Sequence, residues 1–310
     1  MADGSTLSAA PEIPQSQKAL LRNDTSRIAA LHCGMVAMAL TMLLAACGEG
    51  LVTPWNEATP LVPPTIASAV TRELAVTPVP PDTGWRTIAP GIEYRELRVT
   101  QGDRSDRLRI ARVDPSHTRV RVLYAPDSPR RVSEWLISSQ AQLAINGNYF
   151  DPQNRALGLI IADGGRTGVN YDGFGGMLAI SENMVKVRAN VVEPYRQNEA
   201  LTYAMQNFPM LVLPGGQANM QIDDNERLAP RSVVAQDRSG RLVFLVSPSL
   251  MFTLTGLGQW LASSDLDIDA ALNLDGGTST GLLLRDGDQT LGADSWVNVP
   301  SVIVGSEIVR

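Results

Sequence analysis

Ala270-Ala-Leu-Asn-Leu-Asp-Gly-Gly-Thr-Ser-Thr280, continued by Gly281-Leu-Leu-Leu284, reads as a buried strand running into a tight turn and out into a second apolar run. The first run carries Asn273 and Asp275 up to Gly276 and Gly277, and three hydroxyl residues follow. A strand ending this way delivers a carboxylate to a place where the backbone can approach another group closely. Glycine admits positive φ there, and successive N–H groups can face one anion. The same letters also fit a plain hairpin, since Asp-Gly between apolar runs is the strongest short-range hairpin signal. The rest of the chain has to separate turn from site.

The chain has 310 residues, of which 44% are hydrophobic and 19% charged, enough for one large domain or two small ones. A net charge of −6 argues against non-specific nucleic-acid binding. An anionic ligand would then need a local clamp of arginine or backbone amides. Both cysteines, Cys33 and Cys47, and one of the two histidines, His32, lie in the apolar N-terminal segment. The remainder therefore has no disulfide, thiol nucleophile or thiolate metal site. Only His117 is left, in the turn-like Asp114-Pro-Ser-His-Thr118. That excludes a histidine zinc cluster and leaves any Ser-His-Asp triad resting on one turn residue. Acid–base chemistry falls to carboxylates.

Met35 to Ala46 is an apolar run of 12 residues, too short to span a bilayer and of the length of a signal-peptide core. It ends in Leu44-Ala-Ala-Cys47, followed by Gly48, which resembles the lipobox of bacterial lipoproteins. The resemblance implies cleavage before Cys47 and lipid attachment to it; an ordinary cleavable signal peptide is the alternative. The expected organisation is a leader over 1–46, a tether over 47–83 and a folded domain over 84–310. The tether reading rests on Pro63-Pro64 and Pro80-Pro81 in a stretch with no amphipathic period. The expected location is the extracytoplasmic face of a bacterial membrane, anchored and not spanning.

From Gly84 onward the chain alternates like β-structure. Leu108 and Ile110, then Val120, Val122 and Tyr124, mark half-buried strands. A short helix is predicted over Val132 to Ala141 with Ser133 at its N-cap, and another over Leu254 to Leu261. Gln142-Leu-Ala-Ile145 runs into Asn146-Gly-Asn-Tyr-Phe-Asp-Pro152, a second polar cluster at the end of an apolar strand. Hairpins are predicted at Asp163-Gly-Gly165, Ser181-Glu-Asn183 and Arg238-Ser-Gly240, and a closing strand over Val299 to Val304. The expected class is α+β: a mixed, largely antiparallel sheet with a few helices in a single domain.

Four blocks in order resemble the phosphodiester glycosidases: Ala144-Ile-Asn-Gly-Asn-Tyr-Phe-Asp151, Phe208-Pro-Met-Leu-Val212, Ala229-Pro-Arg-Ser-Val-Val-Ala235 and Leu272-Asn-Leu-Asp-Gly-Gly-Thr-Ser279. Leu157-Gly-Leu159 fits between the first two. Thr278 departs from the pattern by standing where the family commonly has glycine. The resemblance implies hydrolysis of a sugar–phosphodiester bond in an envelope or extracellular glycan, releasing the sugar from a phosphate monoester. Asp275 is then the principal catalytic carboxylate, as acid/base or nucleophile. Arg231 holds the phosphate, because a guanidinium fork matches its oxygens, although taken alone it also reads as an exposed strand arginine.

Gly276, Gly277 and Thr278 offer backbone N–H groups to the same oxygens, and Ser279 a hydroxyl. Asn146 and Asn273 suit hydrogen bonds to sugar hydroxyls or orientation of Asp275, with Asn146 equally a turn-capping residue. Gly147 and Asn148 join the substrate-binding set from the first block. Asp151 is either a second carboxylate or a turn-forming Asp-Pro. No cofactor is expected, although the oxygens of Asp275 and the asparagines also compose a divalent-cation reading. The other functional class open to this sequence is a non-catalytic lipoprotein module that binds glycan or peptidoglycan in the same cleft.

Overall fold

The computed structural model describes residues 80–308. The leader, Cys47 and the tether as far as residue 79 lie outside the described residues. The last tether residues already bond to the domain. Arg98 N donates to Pro81 O at 2.6 Å, and the Asp82 carboxylate takes the Gly84 amide at 2.9 Å and Arg95 Nη2 at 2.7 Å.

Three sheets make up the domain. The first has eight strands in the order Arg86–Ala89, Ile92–Gln101, Arg104–Val113, Leu242–Phe252, Ala229–Asp237, Ile268–Asn273, Met210–Leu213 and Gln217–Ala218. The second has five, ordered Gly165–Thr167, Ile160–Ala162, Tyr203–Asn207, Gly176–Ser181 and Met184–Ala189. The third runs Gln289–Ala293, Leu282–Asp286, Leu143–Asn146, Ser301–Glu307 and Thr118–Tyr124. Neighbouring strands pair antiparallel throughout all three.

Two α-helices occur among the described residues, Val132–Ser138 and Leu254–Ser263. The expected α+β class is thereby corrected to mainly β, because period-two patterning fills most of the domain and only these two segments keep a helical period. Ser133 is not the N-cap. Arg131 holds that position, and Ser133, inside the first turn, donates its hydroxyl to Asp294 at 2.7 Å. In the second helix Thr253 is the cap, its hydroxyl oxygen accepting from Gly256 N at 3.0 Å. The three predicted hairpins form, pairing Ala162 with Gly165, Ser181 with Met184 and Gln236 with Leu242. His117 is an exposed turn residue, its Nδ1 3.1 Å from the Asp114 carboxylate.

The central strands are buried on both faces, so they read as continuous apolar runs without alternation. On one side Val233, Ala235, Leu245 and Ala271 pack under Leu257 and Leu261 of the second helix. On the other, Val234, Phe244 and Leu272 share a core with Leu178 and Met205 of the second sheet and Ile145, Leu284 and Ile303 of the third. Each such side chain contributes about 1.5–3 kcal/mol by leaving water. The helix Val132–Ser138 presses Trp135 and Leu136 onto Ala144, Val302 and Val304.

Asp275-Gly-Gly is not a hairpin. The strand before it, Ile268–Asn273, belongs to the first sheet, and the strand after it, Leu282–Asp286, belongs to the third. Phe208-Pro209 likewise passes from the second sheet to the first, between Tyr203–Asn207 and Met210–Leu213. Strand ends from all three sheets therefore meet around one crossover.

Candidate active site

Register places the first pair of residues. Val233 is paired with Asn273, and Leu274 N donates to Ser232 O at 2.8 Å, carrying the ladder one step past the strand. That alignment brings Asp275 to the level of Arg231. Side chains alternate along a strand, so Arg231 and Asn273 lie on one face and Ser232 on the other.

Asp275 is held by the end of a strand in another sheet. Its amide donates to Gly147 O at 3.0 Å, and its carbonyl accepts from Asn146 Nδ2 at 2.7 Å. Its own carboxylate takes the Gly276 amide at 2.9 Å. The Asn146 Oδ1 atom accepts from Ser232 Oγ at 2.7 Å and from Gly281 N at 3.1 Å. Asn146 is fully buried and its amide is spent on the protein itself. Of the roles open to it, orientation of the Asp275 loop is the one this geometry performs, and contact with sugar hydroxyls is not.

The glycines answer to specific neighbours. A Cβ on Gly147 would meet Ser301 Oγ and fall 2.9 Å from the Ser301 carbonyl carbon. A Cβ on Gly276 would fall 2.7 Å from Pro230 O, so the loop passes directly over the residue preceding Arg231. Gly277 has φ +62° with open space where a side chain would begin. The turn Gly277–Ser279 is a single 3-10 turn, whose first amides have no partner within it.

Arg231 is 9% exposed. Its Nε donates to Phe252 O at 3.3 Å and its Nη2 to Arg227 O at 2.7 Å. Among the described residues no carboxylate forms an ion pair with it. Burial pulls its pKa down, against the fields of Tyr149 and Asp224. A guanidinium bonded to two neutral carbonyls keeps its full positive charge.

Tyr149 joins the two ends of this site. Its hydroxyl oxygen accepts from Asn273 Nδ2 at 2.7 Å. Burial raises the phenol's pKa, the Asp275 carboxylate raises it further and the Arg231 cation opposes the rise. One phenol thus lies within the fields of both charged groups. Its ring packs on Phe208 with centroids 5.1 Å apart, and Phe208 contacts Tyr171 at 5.4 Å and Phe174 at 5.8 Å. Asn273 also donates to Phe208 O at 3.2 Å, while its buried Oδ1 has no partner. Sequence reasoning passed over Tyr149 and the three aromatics, although Tyr149 stands inside the first resemblance block.

Other expected members lie outside the site or beside it. Asn148 is buried, with Oδ1 accepting from Ser301 Oγ at 3.0 Å. Ser279 is buried behind the turn. Thr278 is exposed, and its carbonyl accepts from Trp296 N at 2.8 Å, which sets the exposed Trp296 beside the loop. The cation reading loses Asn146, whose Oδ1 is already taken by Ser232 and Gly281.

Asp151, expected either as a second carboxylate of the substrate-binding set or as a turn former, has the geometry of the turn former. Its carboxylate closes its own turn, taking Gln153 N and Arg155 N at 2.9 Å each and Arg155 Nε at 2.8 Å. Burial works to raise its pKa, but the Arg155 amide and guanidinium and the Gln153 amide outweigh it, and the net shift is downward. A depressed folded pKa gives stability that is present above the ordinary carboxylate range and lost as pH falls through the folded value. Asp151→Ala is expected to cost about 1–2 kcal/mol at pH 7, from lost turn hydrogen bonds, with turnover unchanged. Thermal melts from pH 7 to pH 3 check it: the gap between the variant and the parent chain narrows on acidification.

Fold and contacts together define a class: a mainly antiparallel β domain that sets a carboxylate loop in register with a mostly buried arginine at a crossover between sheets. The sequence profile of the phosphodiester glycosidases matches residues 139–304, more than half of the 310-residue chain, and the chain belongs to that family. In fold it is similar to the catalytic domain of zebrafish N-acetylglucosamine-1-phosphodiester alpha-N-acetylglucosaminidase, auto-inhibited by its pro-peptide. The TM-score is 0.58 at 19% identity, over 72% of this chain and 86% of that one. A hypothetical protein from Synechocystis aligns at TM-score 0.48 and 15% identity, over 69% of this chain and 62% of that one. No curated protein sequence matches.

Proposed function

We propose that this chain hydrolyses the bond between a sugar and the phosphate of a glycosyl phosphodiester in an envelope or extracellular glycan. Water adds at the anomeric carbon, and the carbon–oxygen bond to phosphate breaks with its electron pair left on the phosphate. The proton of the water passes to Asp275 directly, or water resolves a glycosyl ester first formed on Asp275 and the freed carboxylate takes the proton. Arg231 and the amides of Gly277 and Thr278 hold the phosphate as it gains charge, the Gly276 amide being taken by the Asp275 carboxylate.

The observation that carries this reading is Arg231 itself. It is mostly buried, bonded among the described residues to carbonyls, and in register with the carboxylate loop. Arg231→Ala is expected to lower kcat/KM for a glycosyl phosphodiester by about 10²–10³-fold, with most of the loss in kcat. A parent-like rate in that variant rejects the assignment.

The same reading takes residues 1–46 as a leader, Cys47 as the lipid-bearing residue and 47–83 as a tether to the extracytoplasmic face of a bacterial membrane. It rests on Leu44-Ala-Ala-Cys47. Cys47→Ser is expected to abolish incorporation of radiolabelled palmitate and to release the chain from the membrane fraction. Label retained in that variant removes the anchor.

A further inference from the structure

We propose that the Tyr149 hydroxyl donates a hydrogen bond to a phosphate oxygen of the substrate held by Arg231, which makes Tyr149 a catalytic residue of this site. The proposal rests on the phosphodiester glycosidase reading and adds a group that the sequence had not assigned.

The first support is hydrogen-bond direction. The carboxamide Nδ2 of Asn273 can only donate, so at 2.7 Å the Tyr149 oxygen is the acceptor. The phenolic hydrogen is then left over, and among the described residues nothing accepts it. The carboxamide is itself fixed, because Nδ2 also donates to Phe208 O at 3.2 Å and the side chain is 1% exposed. The ring is pinned against Phe208, with an interplanar angle of 51°. The hydroxyl is a donor whose direction is set before any ligand arrives.

The second support is position. Asn273 lies opposite Val233, two residues along the strand from Arg231, and two residues before Asp275. From the other side, Asp275 N donates to Gly147 O at 3.0 Å, two residues before Tyr149. The hydroxyl thus bonds to a residue two places before Asp275 and opposite the strand of Arg231, and the fields of both charged groups reach the phenol. The neighbouring Phe150 packs with the Trp135 cluster, so of the Tyr149-Phe150 pair only Tyr149 reaches this place.

The chemistry suits a neutral donor. When the carbon–oxygen bond breaks, a phosphodiester monoanion becomes a monoester with one more negative charge. A donor that is aligned beforehand stabilises the developing charge more than the ground state. The phenol's raised pKa keeps it protonated at any working pH. No proton leaves it: the phosphate departs as the anion, and the proton of the water goes to Asp275 as before.

Tyr149→Phe in the full chain keeps the ring and the Phe208 contact while removing the donor. We expect kcat on a glycosyl phosphodiester to fall about 10–10²-fold, and the affinity for inorganic phosphate, by calorimetry, to fall about tenfold. The melting temperature should stay within a few degrees. Parent-like kcat and phosphate affinity in the variant overturn the proposal. If the parent chain cleaves no phosphodiester, the functional reading has failed separately, and the phosphate-affinity comparison decides the role of Tyr149 alone. Should Tyr149→Phe fail to fold, the near-ultraviolet difference spectrum of the parent chain titrated with phosphate decides. A tyrosine perturbation band supports the proposal, and a flat tyrosine region overturns it.

Discussion

Asp275→Asn is expected to lower turnover of a glycosyl phosphodiester by about 10²–10⁴-fold while leaving the fold intact. Asparagine has the same shape, and its side-chain oxygen still accepts the Gly276 amide, now at 2.9 Å from the carboxylate. The contacts that place the loop are made by the backbone of residue 275, to Gly147 O and Asn146 Nδ2, and survive the change. The variant loses the negative charge and the basicity. Whether the carboxylate takes a proton from water or attacks the anomeric carbon, an amide does neither well. Single-turnover rates, paired with a thermal melt, separate chemistry from folding. A melt close to the parent's with a rate within about tenfold of it would remove Asp275 from the chemistry.

The second large effect is on stability. Asn146→Ala leaves three partners without their bond: the Asp275 carbonyl, the Ser232 hydroxyl and the Gly281 amide. Each such group, left buried and unsatisfied, costs about 1–3 kcal/mol, so a loss of about 3 kcal/mol or more is expected. Against a total of about 5–15 kcal/mol for a domain, that is a large share. Asn146→Asp tests the geometry more finely. Aspartate still accepts from Ser232 and Gly281 but turns an oxygen toward the Asp275 carbonyl, where a donor is needed. Denaturant unfolding of both variants measures this. Parent-like midpoints would mean that the three segments are held together by something other than Asn146. Turnover should fall in both, because the loop that carries Asp275 is released.

Much of the fold was legible locally. The hairpins at Asp163, Ser181 and Arg238 follow from turn residues flanked by apolar runs, and they form as read. The helix Leu254–Ser263 starts within a residue of its reading, because Thr253 caps it. Failures arose where a residue's partner is remote or where two local signals compete. Ser133 looked like a cap, yet the chain turns one step earlier at Arg131 and Ser133 bonds to Asp294, 161 residues away. Asp151 offered a carboxylate and a turn signal together, and its own turn took the carboxylate.

By itself the sequence determined the strand ends at Asn146 and Asp275, the need for glycine beside them and the absence of histidine or thiol chemistry beyond the N-terminal segment apart from His117. Side-chain chemistry and φ preference are local properties, so they can be read from neighbouring letters. Only the tertiary structure decided that Asp275-Gly-Gly crosses between sheets instead of turning back as a hairpin. It also decided that Asn146 faces inward, that Arg231 is bonded to the Phe252 and Arg227 carbonyls and that the Tyr149 hydroxyl bonds to Asn273 within the fields of Arg231 and Asp275. The physical reason is distance along the chain. Asn146 and Asp275 are 129 residues apart, and their hydrogen bond exists only once burial of the apolar runs on both sheets has brought the two strand ends together.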